Sequence, residues 1–578
     1  MSRVSHKEKI LLILILLLAF QLRVKDLGNS PVRWDEAYSV WEAQMGFLEM
    51  TEFTARDVHP PLYFWLFHLW LRLTGASEFA IRSISVFFAL PGILLVYFAT
   101  LRVSKQKIAA PLAMLLITVS PFHIHWSQDA RMYALAMMFA TLTIYAYLRS
   151  KAGLLAIAGI GATLSHYFGG IIVGAIVVYE VIFRREQGRN RRQWRLAIAF
   201  IVAVCLIWGV YAAGLIRTDD SLATFDPKAT FVLMANVFAA YVAAPPDDLT
   251  LATKLITFIF FFGLVCGWRD NPRNISFIML GCLIPPTIIS ILSLPGFPVH
   301  VNELQDRHFY LFSPFAYIGF GLSIAALLRR RWLRPVGIIA FAGMMIFHSV
   351  NAQKRNDSRY FRDDFRSLAA AVEALTTAGD QVFIISGRHT PFLSYHLDRV
   401  GYDVPRNADA SRENVVGIPV HAADVPAMME WIVAGYPRFW VVEIEAHLDE
   451  PHLSPAGPIE RMDWLDDTHN LLYRFDFGWN NSFSYYSRIE GEIFDRNNDE
   501  VIAPVVTEAR PGDFVRIGAP AGSKVHLMRQ GQVVETLSSD TWRLLQFYIH
   551  AHYPNGDYTL HIEDKQSYSF RVTHSPAG

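Results

Sequence analysis

Two short stretches near the start of the chain carry side chains suited to acid–base chemistry. The first, Arg-Trp-Asp-Glu-Ala-Tyr-Ser, puts Asp35 next to Glu36. The second, Asp-Val-His-Pro-Pro-Leu-Tyr, places Asp57 and His59 ahead of a pair of prolines. Both follow a long apolar segment, where ionisable groups are costly unless they line a hydrated cavity or a site. On spacing alone, a charged interfacial loop explains them equally well.

The composition indicates a membrane protein with many spans. The chain has 578 residues, of which 52% are hydrophobic and 18% are charged. Its mean hydropathy of +0.25 is above that of soluble proteins. The formal net charge is zero, so no bulk basic surface points to nucleic acid as a partner. The three cysteines, Cys205, Cys266 and Cys282, lack metal or redox spacing and are expected to be small buried hydrophobes.

We predict a polytopic α-helical membrane protein with about eleven transmembrane helices. The first, at residues 10–22, is expected to be a retained signal-anchor helix, because no small-residue cleavage site follows it. The other predicted spans are apolar segments at 83–101, 108–121, 132–148, 152–165, 168–183, 196–216, 252–267, 275–293, 308–328 and 335–350.

Basic residues cluster in every second loop between these spans. The clusters lie at residues 102–107, 149–151, 184–195, 269–273 and 329–334. The positive-inside rule places these loops and the N-terminus in the cytoplasm. The outer face of the cell membrane then receives the loop 23–82 and everything after residue 350. Nucleic-acid binding by the basic clusters is the alternative, although short clusters between spans mostly set topology.

Helices in the first outer loop must position the two chemical stretches. Residues 34–50 are expected to form one helix with its aromatic side chains along a stripe. Pro60 and Pro61 are expected to begin a second, aromatic-rich helix that lies in the membrane interface. Residues 229–244 are expected to form a third helix of this kind.

After about residue 350 the pattern changes from spans to soluble elements. Residues 363–378 have the pattern of an amphipathic helix, and residues 381–386 that of a strand. A further helix near 391–397 and a strand at 440–444 complete an alternation typical of α/β domains. Short strands and turn signals then predict a β-sandwich. We therefore predict extracytoplasmic domains of α/β type at 351–478 and of β-rich type at 479–578, neither of them carrying the catalytic centre.

Several common functional sites are absent from the sequence. Gly159 and Gly161 lie inside one predicted span, and Gly319 and Gly321 lie inside another. At such positions small residues allow close helix packing and do not form a phosphate-binding loop. No zinc spacing of cysteine and histidine occurs. The stretch Asp495–Asp499 has the first spacings of a calcium loop but lacks its glycine and distal glutamate. We therefore assign no metal ligands.

Basic residues are also expected on the outer face, beside the carboxylates. They are His59, Arg82, Arg131, His166 and Arg307. Singly, each arginine is explained by anchoring at lipid headgroups. Together with the carboxylates they suit a reaction at a lipid-borne phosphate, in which cations stabilise the leaving phosphate. A carboxylate would then take the proton of the attacking hydroxyl.

Four stretches in chain order resemble the signatures of glycosyltransferase family 39. They are residues 34–39, 57–63, 78–85 and 127–135. This family is the dolichyl-phosphate-mannose-protein mannosyltransferase-like branch of the GT-C membrane glycosyltransferases. Residues 165–167 and 305–309 resemble looser signatures, and residues 363–380 resemble the start of the extracytoplasmic domain of bacterial members. The resemblance covers roughly residues 8–385 and implies a GT-C-like transmembrane module at 1–350.

The resemblance implies a polyprenyl- or dolichyl-phosphate sugar as donor and a hydroxyl of a protein, lipid or glycan as acceptor. It implies transfer of a mannose-like sugar with inversion on the outer face, with Asp35 as general base and Glu36 as its acidic neighbour. The donor phosphate is expected at His59, Arg82, Arg131, His166 and Arg307. Other substrate contacts are expected at Asp57, Tyr63, Gln128, Asp129 and Tyr133.

Two positions depart from the family pattern. Asp129 stands where a glutamate is usual, and we expect this shortening to be tolerated. Val58 stands where lipid A-modifying relatives have a glutamate implicated in metal binding, so no metal is carried over to this chain.

Other classes of function remain open. An oligosaccharyltransferase would share the membrane architecture, but its Trp-Trp-Asp signature is missing from the sequence. A transporter or flippase of a lipid-linked glycan would place charges within spans and show paired broken helices, whereas these charges cluster at span ends. A non-catalytic receptor would need neither the carboxylate pair nor the arginines. The sugar, the acceptor, metal dependence and the oligomeric state stay open.

Overall fold

The structure is a computed structural model of the chain. It describes residues 5–57, 59–183, 191–215, 251–292, 306–361, 365–376, 381–384, 395, 415–417, 433, 438–443, 465, 468–476, 482–487, 508–509, 514–519, 522–538, 543–550, 552–563 and 567–573. The chain divides into two compact units. Unit 1 consists of Met1–Leu27 and Glu42–Asp357, and unit 2 of Gly28–Trp41 and Ser358–Gly578.

Unit 1 is built from helices. The first are α1 (His6–Val24), α2 (Trp34–Gln44, whose first residues belong to unit 2), α3 (Phe47–Arg56), α4 (Leu62–Thr74), α5 (Glu78–Val103), α6 (Ala109–Val119), α7 (Pro121–Ser127) and α8 (Tyr133–Leu148). They are followed by α9 (Ala152–Ser165), α10 (Gly169–Phe183), α11 (Arg191–Ala213), α12 (Leu251–Trp268), α13 (Pro272–Leu292), a 3-10 helix (Asp306–Phe312), α14 (Ser313–Arg329) and most of α15 (Arg334–Phe361).

Every apolar segment that we predicted as a span coincides with one of these helices. Among the residues that the structure describes, five helices could cross a membrane by length and composition, or six if the bent pair α6–α7 forms one span. The described helices α8, α9, α10 and α12 are also apolar but shorter. The predicted helical architecture with several apolar helices is confirmed, and the number of spans stays a prediction.

The bend between α6 and α7 follows from the local sequence. The two helices meet at an angle of 62°. Pro121 begins α7 without an N–H to donate, and the Ser120 side chain caps the new helix. The break leaves the last carbonyls of α6 without partners in their own helix. Arg23 of α1 donates to two of them, the oxygens of Ile117 and Thr118, at 3.2 and 3.1 Å.

Glycines inside the helices allow close packing, as predicted. A Cβ added at Gly161 on α9 would lie 2.5 Å from a ring carbon of Phe139 on α8. One added at Gly319 on α14 would lie 2.6 Å from the ring of Phe260 on α12. Both distances are far below the roughly 3.5–4.0 Å of a favourable carbon–carbon contact.

The first outer loop contains two helices where we predicted a single one at 34–50. That prediction was wrong, because Gly46 takes a non-helical conformation (φ −57°, ψ 144°) and caps the start of α3. The helix predicted after the proline pair is α4, with Pro61 at its N-cap. The helix predicted at 229–244 lies outside the described residues.

Unit 2 contains α16 (Phe365–Leu375) and a five-stranded mixed sheet. The strands are β1 (Val382–Ile384), β2 (Val415–Gly417), β3 (Arg438–Glu443), β4 (Asn470–Asp476) and β5 (Ser482–Ser487), in spatial order β2-β1-β3-β5-β4. Strand β1 pairs in parallel with β2 and β3, and β5 pairs antiparallel with β3 and β4.

Three elements predicted for this region are present as α16, β1 and β3, and the helix predicted at 391–397 lies almost wholly outside the described residues. Strand β5 lies beyond the domain boundary that we predicted at 478/479. The first sheet extends past that boundary because β5 completes the hydrogen bonding of β3 and β4.

The remaining strands of unit 2 form two sheets around one core. They are β6 (Glu508–Ala509), β7 (Phe514–Ala519), β8 (Lys524–Arg529), β9 (Gln532–Ser538), β10 (Arg543–Tyr548), β11 (Gly556–Ile562) and β12 (Ser567–Val572). Strands β7 and β10 pair with each other, and the other five are ordered β6-β12-β11-β8-β9. Val515 and Ile517 of β7 share one buried cluster with Leu527 of β8 and Leu560 of β11. Facing sheets with alternating inward side chains are typical of a β-sandwich.

Candidate active site

The connection between α3 and α4 holds Asp57 and His59 in a short, restrained segment. Asp57 ends α3, where its N–H donates to the oxygen of Phe53 at 3.1 Å. Pro60 and Pro61 follow and begin α4, and each proline ring fixes its own φ angle. The prolines therefore restrict the backbone that follows His59, whose ring lies within hydrogen-bonding distance of Asp57.

His59 connects a carboxylate to a guanidinium group. Its Nδ1 lies 3.0 Å from Asp57 Oδ2, and its Nε2 lies 2.9 Å from Arg131 Nη2. An arginine side chain has donors and no acceptor, so His59 Nε2 accepts from Arg131. The ring proton is then on Nδ1 and is donated to Asp57. We call this arrangement the Asp57–His59–Arg131 chain.

The turn between α7 and α8 positions Arg131. Gln128 follows α7, and its side-chain amide donates to the oxygen of Arg23 at the end of α1, at 2.9 Å. Ser85 of α5 donates to the oxygen of Asp129 at 2.6 Å, and the Arg131 N–H donates to the same oxygen at 2.8 Å. Two helices therefore anchor this turn, and Gln128 and Asp129 contribute to its shape.

A second histidine, His166, lies just after α9 among basic groups. Its ring centroid lies 6.1 Å from that of His308 and 6.0 Å from that of Tyr133. The basic groups that act on it are His308, His59, Arg131 and Arg307. Desolvation of the ring in its partly enclosed position, and then these basic groups, lower the pKa of His166 well below its ordinary value. The lowered pKa favours the neutral form of this ring, which the sequence alone had led us to group with the cations.

Most residues predicted at the donor phosphate therefore share one neighbourhood in unit 1. Arg82 is fully buried in α5, and its Nη1 donates to the oxygen of Leu27 at 3.0 Å. Sequence reasoning missed His308 as a site residue, although it stands next to Arg307 in a segment that the sequence had singled out.

Tyr167 and Trp208 had also been given no role. The Tyr167 hydroxyl donates to the backbone oxygen of His59 at 3.4 Å, and Trp208 Nε1 donates to that hydroxyl at 3.1 Å. Helix α11, which carries Trp208, is thereby connected to the segment of His59. Aromatic residues in apolar surroundings are common, so the sequence held no signal for this contact.

The two tyrosines predicted to contact substrate are packed among aromatic rings. Tyr63 is buried in α4 and stacks on Phe67, with ring centroids 5.3 Å apart. Tyr133 is buried at the start of α8, with its ring 5.7 Å from that of Trp126. Ring packing accounts for the burial of both, and their contact with substrate stays a prediction.

The pair Asp35–Glu36 opens α2 and belongs to unit 2. Carboxylates in the first turn of a helix are favoured by its dipole. Glu36 is fully buried, and its Oε2 accepts from the Arg33 N–H at 3.1 Å. Because the Ala37 N–H donates to the Arg33 oxygen, Arg33 is the N-cap and Glu36 makes the returning bond of a capping box. Asp35 is only partly buried, so the two carboxylates have different surroundings.

Helix α16 holds the backbone that leads to this pair. Arg366 of α16 donates through Nη1 to the oxygen of Asn29 at 3.0 Å and through Nη2 to that of Gly28 at 3.2 Å. Both acceptors belong to unit 2 and precede α2. From the sequence, residues 363–366 were part of a predicted amphipathic helix and of a family resemblance, and neither indicated this anchoring role.

Within the described ranges, no three His, Cys, Asp or Glu side chains form a group that could hold a metal ion. Val58 and the stretch Asp495–Asp499 lie outside those ranges. The described side chains of unit 1 present guanidinium groups, a neutral histidine and a histidine fixed by hydrogen bonds at both nitrogens. Such groups suit the binding of a phosphate group.

Comparison with known proteins shows a similarity to one family over part of the chain. Residues 58–210 match the family model described as dolichyl-phosphate-mannose-protein mannosyltransferase. The crystal structure of ArnT from Cupriavidus metallidurans in the apo state has a similar fold, with a TM-score of 0.53, at 13% identity over 82% of this chain and 97% of that one. The resemblance to glycosyltransferase family 39, within the GT-C glycosyltransferases, is confirmed.

One further solved structure has a similar fold, and one further protein is similar in sequence. The oligosaccharyltransferase of Archaeoglobus fulgidus in the apo form gives a TM-score of 0.51 at 10% identity, over 99% of this chain and 95% of that one. An uncharacterized protein of Aquifex aeolicus is 22% identical over 256 residues, which are 42% of this chain. The chain spans 50% of the length of that relative. At these identities the structural likeness shows the fold alone.

The family match includes part of the predicted site. His59, Arg82, Arg131 and His166 lie inside the matched residues 58–210, and so do Gln128, Asp129 and Tyr133. Asp35 and Glu36 precede the matched range and Arg307 follows it. The GT-C match therefore covers the basic groups of unit 1 more fully than it covers the carboxylate pair.

Proposed function

We propose that this protein is a membrane glycosyltransferase that moves a sugar from a polyprenyl-phosphate donor to an acceptor hydroxyl, with inversion. The observation that carries the proposal is the Asp57–His59–Arg131 chain, which lies almost wholly within residues matched to a family named for dolichyl-phosphate mannose. A mannose-like sugar is the donor sugar that this family name favours.

The basic groups of unit 1 are proposed to bind the donor phosphate. When the sugar leaves, the polyprenyl phosphate gains negative charge, which donors already in position stabilise. Arg131 is hydrogen-bonded to His59. Arg131 and Arg307 both lower the pKa of His166, so the two arginines lie near the same ring. Arg82 is proposed to contribute from α5. The neutral His166 is proposed to act as a hydrogen-bonding group rather than as a charge.

Asp35 is proposed as the general base. An acceptor hydroxyl is too weakly acidic to attack an anomeric carbon unless it loses its proton as the bond forms. Between the two adjacent carboxylates, Glu36 is occupied by the backbone of Arg33 in the capping box, whereas Asp35 is partly exposed. A single displacement with one base inverts the anomeric centre.

The topology proposed from the loop charges puts the N-terminus in the cytoplasm and residues 351–578 outside the cell membrane. Phosphatase and fluorescent-protein fusions at Gly578 test this. We expect an active phosphatase and no fluorescence. Fluorescence with an inactive phosphatase would overturn both the topology and an outer-face reaction.

Reconstitution of the purified chain in liposomes tests the activity itself. The liposomes carry polyprenyl-phosphate sugars labelled in the sugar, mannose first, together with an extract of envelope acceptors. We expect release of polyprenyl phosphate and transfer of label to an acceptor, which mass analysis of glycans in a deletion strain then identifies. Movement of the donor across the membrane without cleavage would make the chain a flippase and would refute the proposal.

A further inference from the structure

Glu42 is a buried carboxyl group beside the Asp57–His59–Arg131 chain. It lies near the end of α2, within unit 1, and has no exposed surface. Its Oε1 is hydrogen-bonded to the Thr54 hydroxyl of α3. Its charge environment contains the carboxylate of Asp57 and the guanidinium of Arg131. Its position in the sequence had indicated no role for it.

The hydrogen bonds of Thr54 determine where a proton must be. The Thr54 oxygen lies against Glu42 Oε1 and also 2.8 Å from the backbone oxygen of Met50. A hydroxyl has one hydrogen, so it cannot make two well-aligned donor bonds at once. Both bonds are made if Thr54 donates to Met50 and a protonated Glu42 donates to Thr54. The geometry therefore favours a neutral carboxylic acid.

The second oxygen of Glu42 agrees with this. Oε2 is buried and has no hydrogen-bond partner among the residues that the structure describes. An ionised carboxylate oxygen left in that condition is very costly, whereas the carbonyl oxygen of a neutral acid costs much less. Burial, and then the Asp57 carboxylate, raise the pKa of Glu42 well above its ordinary value, while Thr54 and Arg131 lower it by less.

We propose that Glu42 is a positioning residue that stays protonated, so that it adds no second negative charge beside Asp57 and Arg131. This inference rests on the proposed glycosyl transfer and adds a regulatory limit to it. Loss of the Glu42 proton to solvent at high pH would put a second negative charge beside Asp57 and Arg131. Arg131 would then be drawn from the donor phosphate, and transfer would fall.

The other groups described around Glu42 are consistent with a protonated Glu42. From α4, His68 donates its Nδ1–H to the oxygen of Ala43 at 2.8 Å, so its ring is held by the backbone of α2. The α11 side chains grouped with Ala55 of α3 are Trp208 and Ala212, which are apolar. Asp57 and Arg131 are therefore the charged groups, among those described, through which Glu42 acts.

The pH dependence of transfer tests the proposal. In the wild type we expect turnover to fall about tenfold per pH unit once Glu42 ionises on the alkaline side. Glu42→Gln keeps the shape, donates to Thr54 through its amide and cannot ionise, so it should keep turnover at neutral pH and lose the alkaline fall. Glu52→Gln, an exposed carboxylate on the neighbouring α3, is the matched control and should behave as the wild type.

A second variant keeps the test decisive if Glu42→Gln folds poorly. Asp57→Asn removes the negative charge that raises the Glu42 pKa, while its amide oxygen can still accept from His59, so the alkaline fall should move to lower pH. An alkaline fall that stays the same in Glu42→Gln, or that does not move to lower pH in Asp57→Asn, would overturn the proposal.

Infrared spectroscopy separates this inference from the glycosyl transfer on which it rests. The C=O stretch of a protonated carboxylic acid should be present in the wild type and Glu52→Gln at neutral pH, and missing from Glu42→Gln. The infrared measurement needs no substrate. An acid band with no donor turnover would refute the proposed function alone, whereas donor turnover without an acid band would refute the role of Glu42.

Discussion

Arg131 Nη2 lies 2.9 Å from His59 Nε2, and this contact decides which nitrogen of His59 carries the proton. Since arginine only donates, the Nδ1–H of His59 points to Asp57, 3.0 Å away. The positive charge of Arg131 is thereby connected to a carboxylate through one neutral ring. A phosphate that approaches Arg131 meets a guanidinium whose orientation is already fixed.

Arg131→Lys should lower turnover strongly. A lysine keeps the charge but concentrates it at the end of a flexible stem, without the planar set of donors that holds His59 and a phosphate together. We expect a fall in kcat of ~100- to 1,000-fold, as for loss of one preorganised donor. Steady-state kinetics with a polyprenyl-phosphate sugar measure it. The control is Arg331→Lys, at an exposed arginine after α14; equal losses in both variants would contradict the assignment.

Substitutions of His59 test the tautomer. A glutamine at this position can present its amide oxygen to Arg131, in the place of Nε2. An asparagine is shorter and reaches the position of Nδ1, so it preserves the contact with Asp57 instead. We expect His59→Gln to retain more turnover than His59→Asn. The reverse order would mean that the bond to Asp57, and not the one to Arg131, is what the reaction needs.

Asp35→Asn and Glu36→Gln should separate chemistry from helix capping. Asp35→Asn removes the base and should bind donor normally while transfer falls by ~100- to 10,000-fold. Glu36→Gln keeps an acceptor for the Arg33 N–H and should retain turnover with stability lowered by about 1 kcal/mol or less. Donor binding, turnover and melting temperature are measured for each. A dead Glu36→Gln beside an active Asp35→Asn would exchange the two roles.

Arg82→Ala should reduce both stability and turnover. Its loss leaves the buried oxygen of Leu27 without this donor, which costs about 1–3 kcal/mol. If Arg82 also contacts the donor phosphate, donor affinity falls in the fraction that remains folded. Arg102→Ala, exposed near the end of the same helix, is the control. A lower melting temperature with unchanged kcat/KM would make Arg82 an anchor only.

Arg366→Gln should lower kcat while leaving donor affinity unchanged. Arg366 holds the oxygens of Gly28 and Asn29, so its loss loosens the backbone that leads to Asp35. The proposed donor-binding groups are in unit 1 and do not depend on that bond. A truncation that ends near residue 350 lacks Arg366 and should likewise bind donor but transfer poorly. A parallel loss of donor affinity in Arg366→Gln would contradict the proposal that donor binding depends on unit 1 and not on the bonds of Arg366.

The lowered pKa of His166 predicts loss of stability in acid. The folded protein keeps this ring neutral, whereas the unfolded chain binds a proton at the ordinary histidine pKa. The contribution is therefore present above that ordinary value and is lost as pH falls towards the lowered one. His166→Gln cannot bind the proton and should flatten the fall in melting temperature below about pH 6.5. His6→Gln, at an exposed residue, should leave the fall as it is in the wild type.

Much of the local structure was predictable because it depends on neighbours in the chain. The apolar segments became helices, and the prolines at 60 and 61 began α4 where their fixed φ angles allow. The prediction of a single helix at 34–50 failed at Gly46, because a glycine can either end a helix or be tolerated within it. The pattern of charges around Asp35, Asp57 and Arg131 was also visible, since residue types and spacing are enough to mark candidates.

Only the tertiary structure decided how those candidates work. Arg131 is 72 residues from His59 in the chain, and no local pattern specifies which nitrogen of the ring it meets. The neutral state of His166 results from desolvation and from charges on several segments. Glu42 was passed over because its importance lies in burial beside Asp57, which helix packing creates. The sequence by itself determined which side chains could do the chemistry, and packing determined their protonation and partners, because both depend on solvent exclusion and on distances between residues far apart in the chain.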